Sequence, residues 1–389
     1  MKKETRVTHQ PEVTLPAGNS SVVGPVYRSV KFTYPSIEAS LTADARQQGF
    51  DYTRDSNPTT RQLELLCAEL QDRNDGLAVA TGMASIWLAL LGNLKAGDRV
   101  VIFLETYRPT RVAVRSLLPR FGIEFTMLGM HDREAIQKTF AQEDTKLVLF
   151  ESPTNPMMQV LDIAALVALA KEYDVVTVLD NTFAGLHNHG SFDVDYYVHS
   201  LTKYGSGHGD VMGGIVIGDK PKIDSLRPLA VNMGSTMDPG ASFLVLRGLK
   251  TYYLRYQRHS ENAQVIAEYL SARKEVTKIH YPGLSDDPTH ALAAQQMHDF
   301  GGVLTFDLNA DKAQSWAFID ALQLFATTAS LGSTDSLVAP VQLYLARDLN
   351  ADELQRAGIS ESTVRLAVGI EHSDDLIADL NQAFDEVFG

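Results

Sequence analysis

The residues around Lys203 have the types and spacing of a site that binds a ligand covalently. The run over residues 196–200 predicts a strand, and extended backbone places Ser200 and Thr202 on one side. Lys203 follows at once and begins a glycine-rich turn, where bare backbone lets a ligand approach closely. Two hydroxyls and an amine at a strand end suit a phosphate and a group that forms a Schiff base with the lysine. Taken alone, Lys203 also fits a surface lysine before a flexible loop.

Two other strand ends supply matching partners. Asp180 ends an apolar strand, so its carboxylate is expected in a poorly hydrated place where it needs a cationic partner. A protonated pyridine nitrogen is such a partner, and a helix cap is the plainer alternative. Thr81, Gly82 and Met83 lie between a strand and a helix, where backbone N–H groups would face a phosphate. Such a turn occurs in every doubly wound fold, so it has weight only beside the other features.

A Schiff-base lysine, an acid for a ring nitrogen and a phosphate cradle, all at strand ends, together describe pyridoxal 5′-phosphate (PLP). The stretches that carry these residues resemble, in order and along nearly the whole chain, the Cys/Met metabolism family of PLP-dependent enzymes. This family includes cystathionine γ-synthase, the cystathionine β- and γ-lyases and methionine γ-lyase. The matching stretches are residues 52–59, 81–84, 151–156, 180–183, 200–204, 246–251, 330–332 and 364–366.

The resemblance implies a role for each matching residue. Lys203 would hold the cofactor as an internal aldimine and shuttle protons, Asp180 would pair with the ring nitrogen, and Tyr107 would stack on the ring. The cofactor-binding residues that the resemblance implies are Tyr52, Arg54, Gly82, Met83, Tyr107, Asn155, Asp180, Thr182, Ser200, Thr202 and Lys203. The implied substrate-binding residues are Ser330, Arg365, Tyr107 and Arg111. Of these, Arg365 would grip the substrate α-carboxylate as a bidentate fork.

The resemblance also implies a reaction and an assembly. We expect γ-elimination or γ-replacement on a C4-substituted L-amino acid, either a homoserine derivative or a sulfur amino acid. A β-eliminating C–S lyase is the close alternative, and a non-catalytic protein that keeps PLP is a distant one. Tyr52 and Arg54 would reach the cofactor phosphate of a neighbouring subunit. We therefore expect a homotetramer, built as a dimer of dimers with shared active sites.

Several positions depart from the family pattern on the substrate side. Arg108 and Pro109 follow Tyr107 where the family commonly has glycines, and Ala329 stands where several cystathionine enzymes have glutamate. The loop after Leu337 also differs from the usual sequence. The residues implied to hold the cofactor are kept, whereas those implied to face the far end of the substrate differ. We therefore expect a substrate other than cystathionine. Since Ala329 replaces a glutamate, an obvious partner for a distal ammonium group is missing.

The elements that must position these residues alternate between strand and helix. The apolar pattern predicts strands near residues 77–80, 99–104, 124–128, 146–151, 175–180 and 196–200, and helices near 59–70, 82–94, 108–121, 132–140 and 163–173. Strands that are apolar throughout indicate a sheet covered by helices on both faces. We therefore expect an α/β domain with a mostly parallel sheet and ligands at the carboxyl ends of its strands. By resemblance this is PLP fold type I, similar to aspartate aminotransferase.

The chain divides into three expected segments. Residues 1–58 are broken by proline and glycine, which predicts either a disordered segment or an arm that lies over another surface. The resemblance implies the second, an arm that contacts a neighbouring subunit. Residues 59–240 are expected to form the PLP-binding domain. Residues 241–389 are expected to form a smaller α+β domain that begins with one long helical stretch over 242–273.

Composition narrows the classes of partner. The chain has 389 residues with 34 Lys plus Arg against 48 Asp plus Glu, a net charge of −14, so neither nucleic acid nor an anionic membrane is expected. The single cysteine, Cys67, lies on the apolar face of a predicted helix and excludes an internal disulfide framework. His187 and His189 lack a third ligand, so no metal site is expected. No signal peptide or membrane span is visible, which predicts a cytoplasmic protein.

Overall fold

A computed structural model describes residues 15–42 and 49–389, and within them the larger sheet has seven strands. In chain order they are β1 Asp75–Val79, β2 Arg99–Phe103, β3 Glu124–Leu128, β4 Thr145–Glu151, β5 Val176–Asp180, β6 Tyr196–Ser200 and β7 Gly214–Gly218. Their spatial order is β1-β7-β6-β5-β4-β2-β3. Strands β2 to β6 pair in parallel, and β7 runs antiparallel to both β1 and β6. The mostly parallel α/β sheet is therefore confirmed, although the sequence pattern misses β7, whose short apolar run is bounded by glycines.

Helices precede and connect these strands. They are α1 Ile37–Thr42, α2 Pro58–Leu70, α3 Gly82–Asn93, α4 Arg108–Ser116, α5 Arg133–Phe140, α6 Ile163–Glu172 and α7 Lys220–Met233, with a 3₁₀ turn over Leu118–Phe121. Within β4, Val148 and Phe150 belong to the core on one face of the sheet, whereas Leu147 and Leu149 belong to the core on the other. Burial on both faces explains why such strands are apolar at successive positions.

A second sheet of five strands lies in the C-terminal part of the described chain. Its strands are β8 Val276–His280, β9 Val303–Leu308, β10 Ala326–Thr327, β11 Leu337–Pro340 and β12 Thr363–Ala367, in the spatial order β10-β11-β12-β9-β8. The helices of this part are α8 Pro239–Leu249, α9 Tyr252–Ser271, α10 His290–Gln296, α11 Lys312–Ala321, α12 Val341–Tyr344, α13 Ala351–Ala357 and α14 Ser373–Phe388. Phe318 packs its ring 4.6 Å from that of Phe384, which joins α11 to α14 in a separate core.

The long helical stretch expected over residues 242–273 consists of two helices, because α8 ends at Leu249 and α9 begins at Tyr252. The break faces the glycine-rich turn after Lys203. The Arg255 guanidinium donates to the carbonyl oxygens of Gly248 (2.9 Å) and Tyr204 (3.0 Å), and so ties both helices to that turn. A Cβ on Gly248 would lie only 2.2 Å from the Ser206 carbonyl oxygen, so glycine is needed for this approach. The predicted helix over 108–121 is also shorter, since α4 ends at Ser116 ahead of Pro119.

The described part of the N-terminal segment contains little regular structure. Lys31 and Tyr52 form an isolated antiparallel bridge, and the Asn57 side chain donates to the Tyr27 carbonyl oxygen at 2.8 Å. Val22 is 98% exposed and Ile37 is 82% exposed, so this chain alone leaves apolar side chains of the segment uncovered. Residues 1–14 and 43–48 lie outside the described residues. The role of the segment as an arm and the three domain boundaries stay predictions.

Three further observations concern a cysteine, membrane-spanning helices and metal-binding groups. Cys67 is fully buried in α2, and burial raises the pKa of its thiol, which fits a packed helix residue rather than a nucleophile. Across residues 15–42 and 49–389, no helix is long and apolar enough to cross a membrane. The same residues contain no group of three or more His, Cys, Asp or Glu side chains arranged to hold a metal ion.

Candidate active site

A cavity of about 410 Å³ lies at the carboxyl ends of β4, β5 and β6. Eleven of the residues singled out from the sequence line it, namely Gly82, Met83, Tyr107, Asn155, Asp180, Thr182, Ser200, Thr202, Lys203, Ser330 and Arg365. They come from both halves of the chain, because Ser330 and Arg365 belong to the part that carries the second sheet. The cavity is where a parallel α/β sheet is expected to bind its ligand.

Lys203 presents its amine to the cavity. Its Nζ donates a hydrogen bond to the Ser330 hydroxyl at 2.8 Å. Burial, reinforced by the positive charge of Arg365 and opposed by the negative charge of Asp180, lowers the pKa of Lys203 to about 8. A substantial fraction of this amine is therefore neutral near physiological pH, which a nucleophile or a general base requires.

Asp180 is held by hydrogen bonds from the residues that follow it. Thr182 donates its backbone N–H (3.1 Å) and its hydroxyl (2.6 Å) to Asp180 Oδ1, and the same hydroxyl accepts the Ser200 N–H at 2.9 Å. Burial raises the pKa of Asp180, while the bonds from Thr182 and the charge of Lys203 oppose this shift. A carboxylate destabilised in this way gains from meeting a cationic nitrogen, and Oδ2 is left available for one. Thr182 thus positions Asp180 and couples it to the end of β6.

The end of β6 and the start of α3 approach very closely. A Cβ on Gly82 would lie 2.8 Å from the Cβ of Ser200, so only glycine allows this contact. The backbone N–H groups of Gly82 and Met83 lie in the first turn of α3, where they have no partner inside the helix. Thr202 is fixed nearby, since its hydroxyl accepts the Gly213 N–H at 3.1 Å. Free N–H groups, a helix N-terminus and two hydroxyls form a cradle that suits a phosphate.

Arg365 is a buried cation without a carboxylate partner among the described residues. It lies on β12 and is only 3% exposed. Its guanidinium donates to Asn155 Oδ1 (3.0 Å) and to the Ser330 carbonyl oxygen (2.8 Å), while its Nε is buried with no hydrogen-bond partner. Burial lowers the pKa of Arg365 to about 10. A desolvated guanidinium held only by neutral oxygens is a binding site for a carboxylate.

Glu151 is a cavity residue that the sequence analysis does not single out. It ends β4, pairs in register with Asp180 on β5, and its Oε1 accepts the Tyr107 N–H at 2.5 Å. Burial, and then the negative charge of Asp180, hold the pKa of Glu151 well above its usual range. Asp180 stands out in the sequence because it is an acid at the end of an apolar strand, and Glu151 has the same position at the end of β4. Glu151 therefore holds the residue that directly precedes α4, and so positions Tyr107.

Three of the predicted site residues lie outside the cavity lining. The expectation that Arg111 binds substrate is not supported, because its side chain is 1% exposed and donates to both oxygens of Asp348 at 3.0 and 2.8 Å. Arg111 instead ties α4 to the segment after α12. Tyr52 and Arg54 are exposed and do not reach the cavity of their own chain. Their placement leaves open the expected contact with a neighbouring subunit.

The cavity fits PLP on its own geometry. The cradle at Gly82 suits the phosphate, Asp180 suits a protonated ring nitrogen, and the partly neutral amine of Lys203 suits the aldehyde. Asn155, already bonded to Arg365, lies beside these groups in the same lining. Each functional group of the cofactor therefore finds a residue of matching chemistry in this one cavity.

Comparison with known proteins gives the same result. A family model described as "Cys/Met metabolism PLP-dependent enzyme" matches residues 4–385. An L-methionine γ-lyase of Pseudomonas putida is 38% identical over 368 residues, which is 93% of this chain and 92% of that protein. A cystathionine β-lyase of Lactococcus lactis subsp. cremoris is 35% identical over 90% of this chain and 94% of its own length.

Solved structures agree with these relatives. The structure of cystathionine γ-synthase from Xanthomonas oryzae pv. oryzae in complex with cystathionine superposes with a TM-score of 0.90 and 33% sequence identity. The match covers 96% of this chain and 95% of that chain. The family model names the cofactor class, while the names of the similar proteins describe different reactions.

Replacing Glu151 tests its positioning role. Glu151→Gln keeps a side-chain oxygen that can accept the Tyr107 N–H, whereas Glu151→Ala removes this acceptor. We expect kcat/KM to stay within about threefold in Glu151→Gln and to fall by about a hundredfold in Glu151→Ala, as misplaced active-site groups cause. The PLP content of each variant, read from its absorption, is the control. An equal loss in both variants contradicts this role.

Proposed function

Because the chain belongs to the Cys/Met metabolism family of PLP-dependent enzymes, we propose that it catalyses γ-elimination or γ-replacement on a C4-substituted L-amino acid. The substrate is a homoserine derivative or a sulfur amino acid. The observation that carries the proposal is the Lys203 amine, bonded to Ser330 and flanked by the charges of Asp180 and Arg365. PLP, when bound, supplies the electron sink that makes the α-proton of an amino acid acidic.

Four residues of the cavity each have a separate role in the proposed reaction. Arg365 binds the α-carboxylate of the substrate through its unpartnered Nε–H and so fixes the α-carbon. Lys203 Nζ, neutral in part near pH 8, takes the proton from that carbon as a general base. Asp180 keeps the ring nitrogen protonated. Burial raises the pKa of Tyr107, so its phenol stays protonated and can donate near the departing group.

The regiochemistry has one close alternative. A β-eliminating lyase needs the same lysine, aspartate and arginine, and the cystathionine β-lyase of Lactococcus lactis is 35% identical to this chain. The second alternative from the sequence, a non-catalytic PLP-binding protein, is not favoured, since the relatives of this chain are named as enzymes. The identity of the 2-oxo acid separates γ from β chemistry.

The product assay tests the proposal directly. With PLP-loaded protein and a panel of C4-substituted amino acids, we expect 2-oxobutanoate, because two deprotonations release a group from Cγ. Lys203→Ala should lower its rate of formation by about a thousandfold, the usual contribution of a positioned acid–base group. Pyruvate as the main product would instead favour the β-lyase, and no 2-oxo acid from any substrate would contradict catalysis.

We also propose that the active sites are shared within a homotetramer. Tyr52 and Arg54 resemble phosphate-binding residues of the family, yet they are exposed and do not reach the cavity of their own chain. The segment that carries them exposes apolar side chains, including Ile37 and Leu41 at 82% each. Coverage by a neighbouring subunit accounts for both features. The cytoplasmic location stays a prediction from the sequence.

Hybrid dimers test the shared site. Tyr52→Phe and Lys203→Ala are each expected to be weakly active alone, because each impairs every site. After mixing and reassembly, half of the dimers are hybrids with one intact site in two, so activity should recover to about a quarter of the wild-type value. Unmixed variants carried through the same treatment are the control. Recovery no greater than their sum would contradict a site built from two subunits.

A further inference from the structure

One charged side chain of the cavity has no role in the proposed function. Five charged side chains line the cavity: Arg108, Glu151, Asp180, Lys203 and Arg365. Lys203, Asp180 and Arg365 act on the amine, the ring nitrogen and the α-carboxylate, and Glu151 accepts the Tyr107 N–H. Arg108 is the cation that remains.

The charge of Arg108 is poorly compensated by its surroundings. Its nearest carboxylate among the described residues is Asp348, with Nε and Oδ1 3.7 Å apart. Asp348 already accepts two hydrogen bonds from Arg111, and Arg115 lies 3.9 Å from it on the next turn of α4. Three guanidiniums thus surround one carboxylate, and Glu353, the other acid here, pairs with Arg115.

The Arg108 guanidinium also has a donor that no hydrogen-bond acceptor satisfies. Its Nε is buried and has no hydrogen-bond partner. The same cavity wall includes Pro109, Met212 and Leu345, whose side chains offer no strong hydrogen-bond acceptor. In such surroundings an anion that reached Arg108 would gain a charge-assisted hydrogen bond in a weakly screened environment.

The position of Arg108 indicates which part of a substrate it meets. Arg108 directly follows Tyr107, and the charges of both Arg365 and Arg108 act on the Tyr107 phenol. Arg365 is assigned to the α-carboxylate, so the second arginine faces the rest of the amino acid. Position 329, which lines the same cavity, is alanine, so no glutamate at this position can pair with the Arg108 guanidinium in place of a substrate.

We propose that Arg108 binds an anionic group at the far end of the substrate's γ-substituent, a carboxylate or a phosphate borne by the leaving group. This inference rests on the proposed function and narrows its substrate class to charged esters of homoserine. In γ-elimination the Cγ–O bond breaks, and its electron pair leaves on the ester oxygen as the carboxylate or phosphate anion. Water supplies the keto oxygen of 2-oxobutanoate, and the amino nitrogen leaves as ammonia.

Two matched pairs of substrates test the inference and separate the two anions. O-succinyl-L-homoserine is compared with its uncharged succinyl methyl ester, and O-phospho-L-homoserine with O-acetyl-L-homoserine. In at least one pair we expect the charged ester to have a kcat/KM about tenfold higher or more, the effect of one hydrogen bond to a charged group. Arg108→Gln should bring that ratio to about one, and Arg108→Lys should keep part of it. The ratio within each variant cancels any general loss of activity.

Arg133→Gln is the control, since it removes the same charge from an exposed position outside the cavity and should leave the ratio as in wild type. Wild-type ratios below about fivefold in both pairs, or a ratio that survives in Arg108→Gln, would overturn the inference. If Arg108→Gln does not fold, the wild-type and Arg108→Lys ratios decide. Turnover of L-methionine without turnover of any ester also overturns the inference and leaves the proposed function standing. No 2-oxo acid from any substrate overturns both.

Discussion

The site depends on keeping one buried amine partly neutral between two opposite charges. Lys203 would be fully protonated in water at neutral pH, and burial beside Arg365 lowers its pKa to about 8 although Asp180 opposes the shift. Burial also raises the pKa of Asp180 and lowers the pKa of Arg365. All three groups therefore lie in one poorly hydrated place. A cofactor that carries an aldehyde and a basic ring nitrogen suits Lys203 and Asp180, and the α-carboxylate of a bound amino acid suits Arg365.

The fold meets this requirement by bringing together ends of elements that are distant in sequence. Parallel strands β4, β5 and β6 present Glu151, Asp180 and Ser200 at one edge of the sheet. The glycine-rich turn after Lys203 is fixed from behind by Arg255, which lies across the break between α8 and α9. The second sheet contributes Arg365 from β12. The cavity therefore requires both sheets, and neither half of the described chain completes it alone.

The site residues that the sequence alone predicts are those whose role depends on their immediate neighbours in the chain. A strand that ends in an acid, a glycine before a helix and a lysine before a glycine-rich turn each describe their own surroundings, and Lys203, Asp180 and Gly82 all line the cavity. Resemblance added Tyr107 and Arg365, for which the residues alone gave no reason. The mostly parallel sheet followed from strands that are apolar on both faces.

Errors arose where a partner lies far along the chain. Arg111 looks like a substrate ligand until Asp348, 237 residues away, is seen to bind it. The helix break before Tyr252 follows the close packing of Gly248 against the Ser206 carbonyl, a contact that no helical periodicity reveals. Glu151 ends its strand as Asp180 does, but the matching stretch 151–156 by itself assigns it no role. The predicted role of Tyr52 and Arg54 involves a neighbouring subunit and stays a prediction.

Reductive trapping tests the central claim most directly. The PLP-loaded protein is treated with borohydride and digested, and the peptides are analysed by mass spectrometry. The account predicts a phosphopyridoxyl group on the side chain of Lys203 and loss of the cofactor's visible absorption band. Absence of the label, or its attachment to a different lysine, would contradict it.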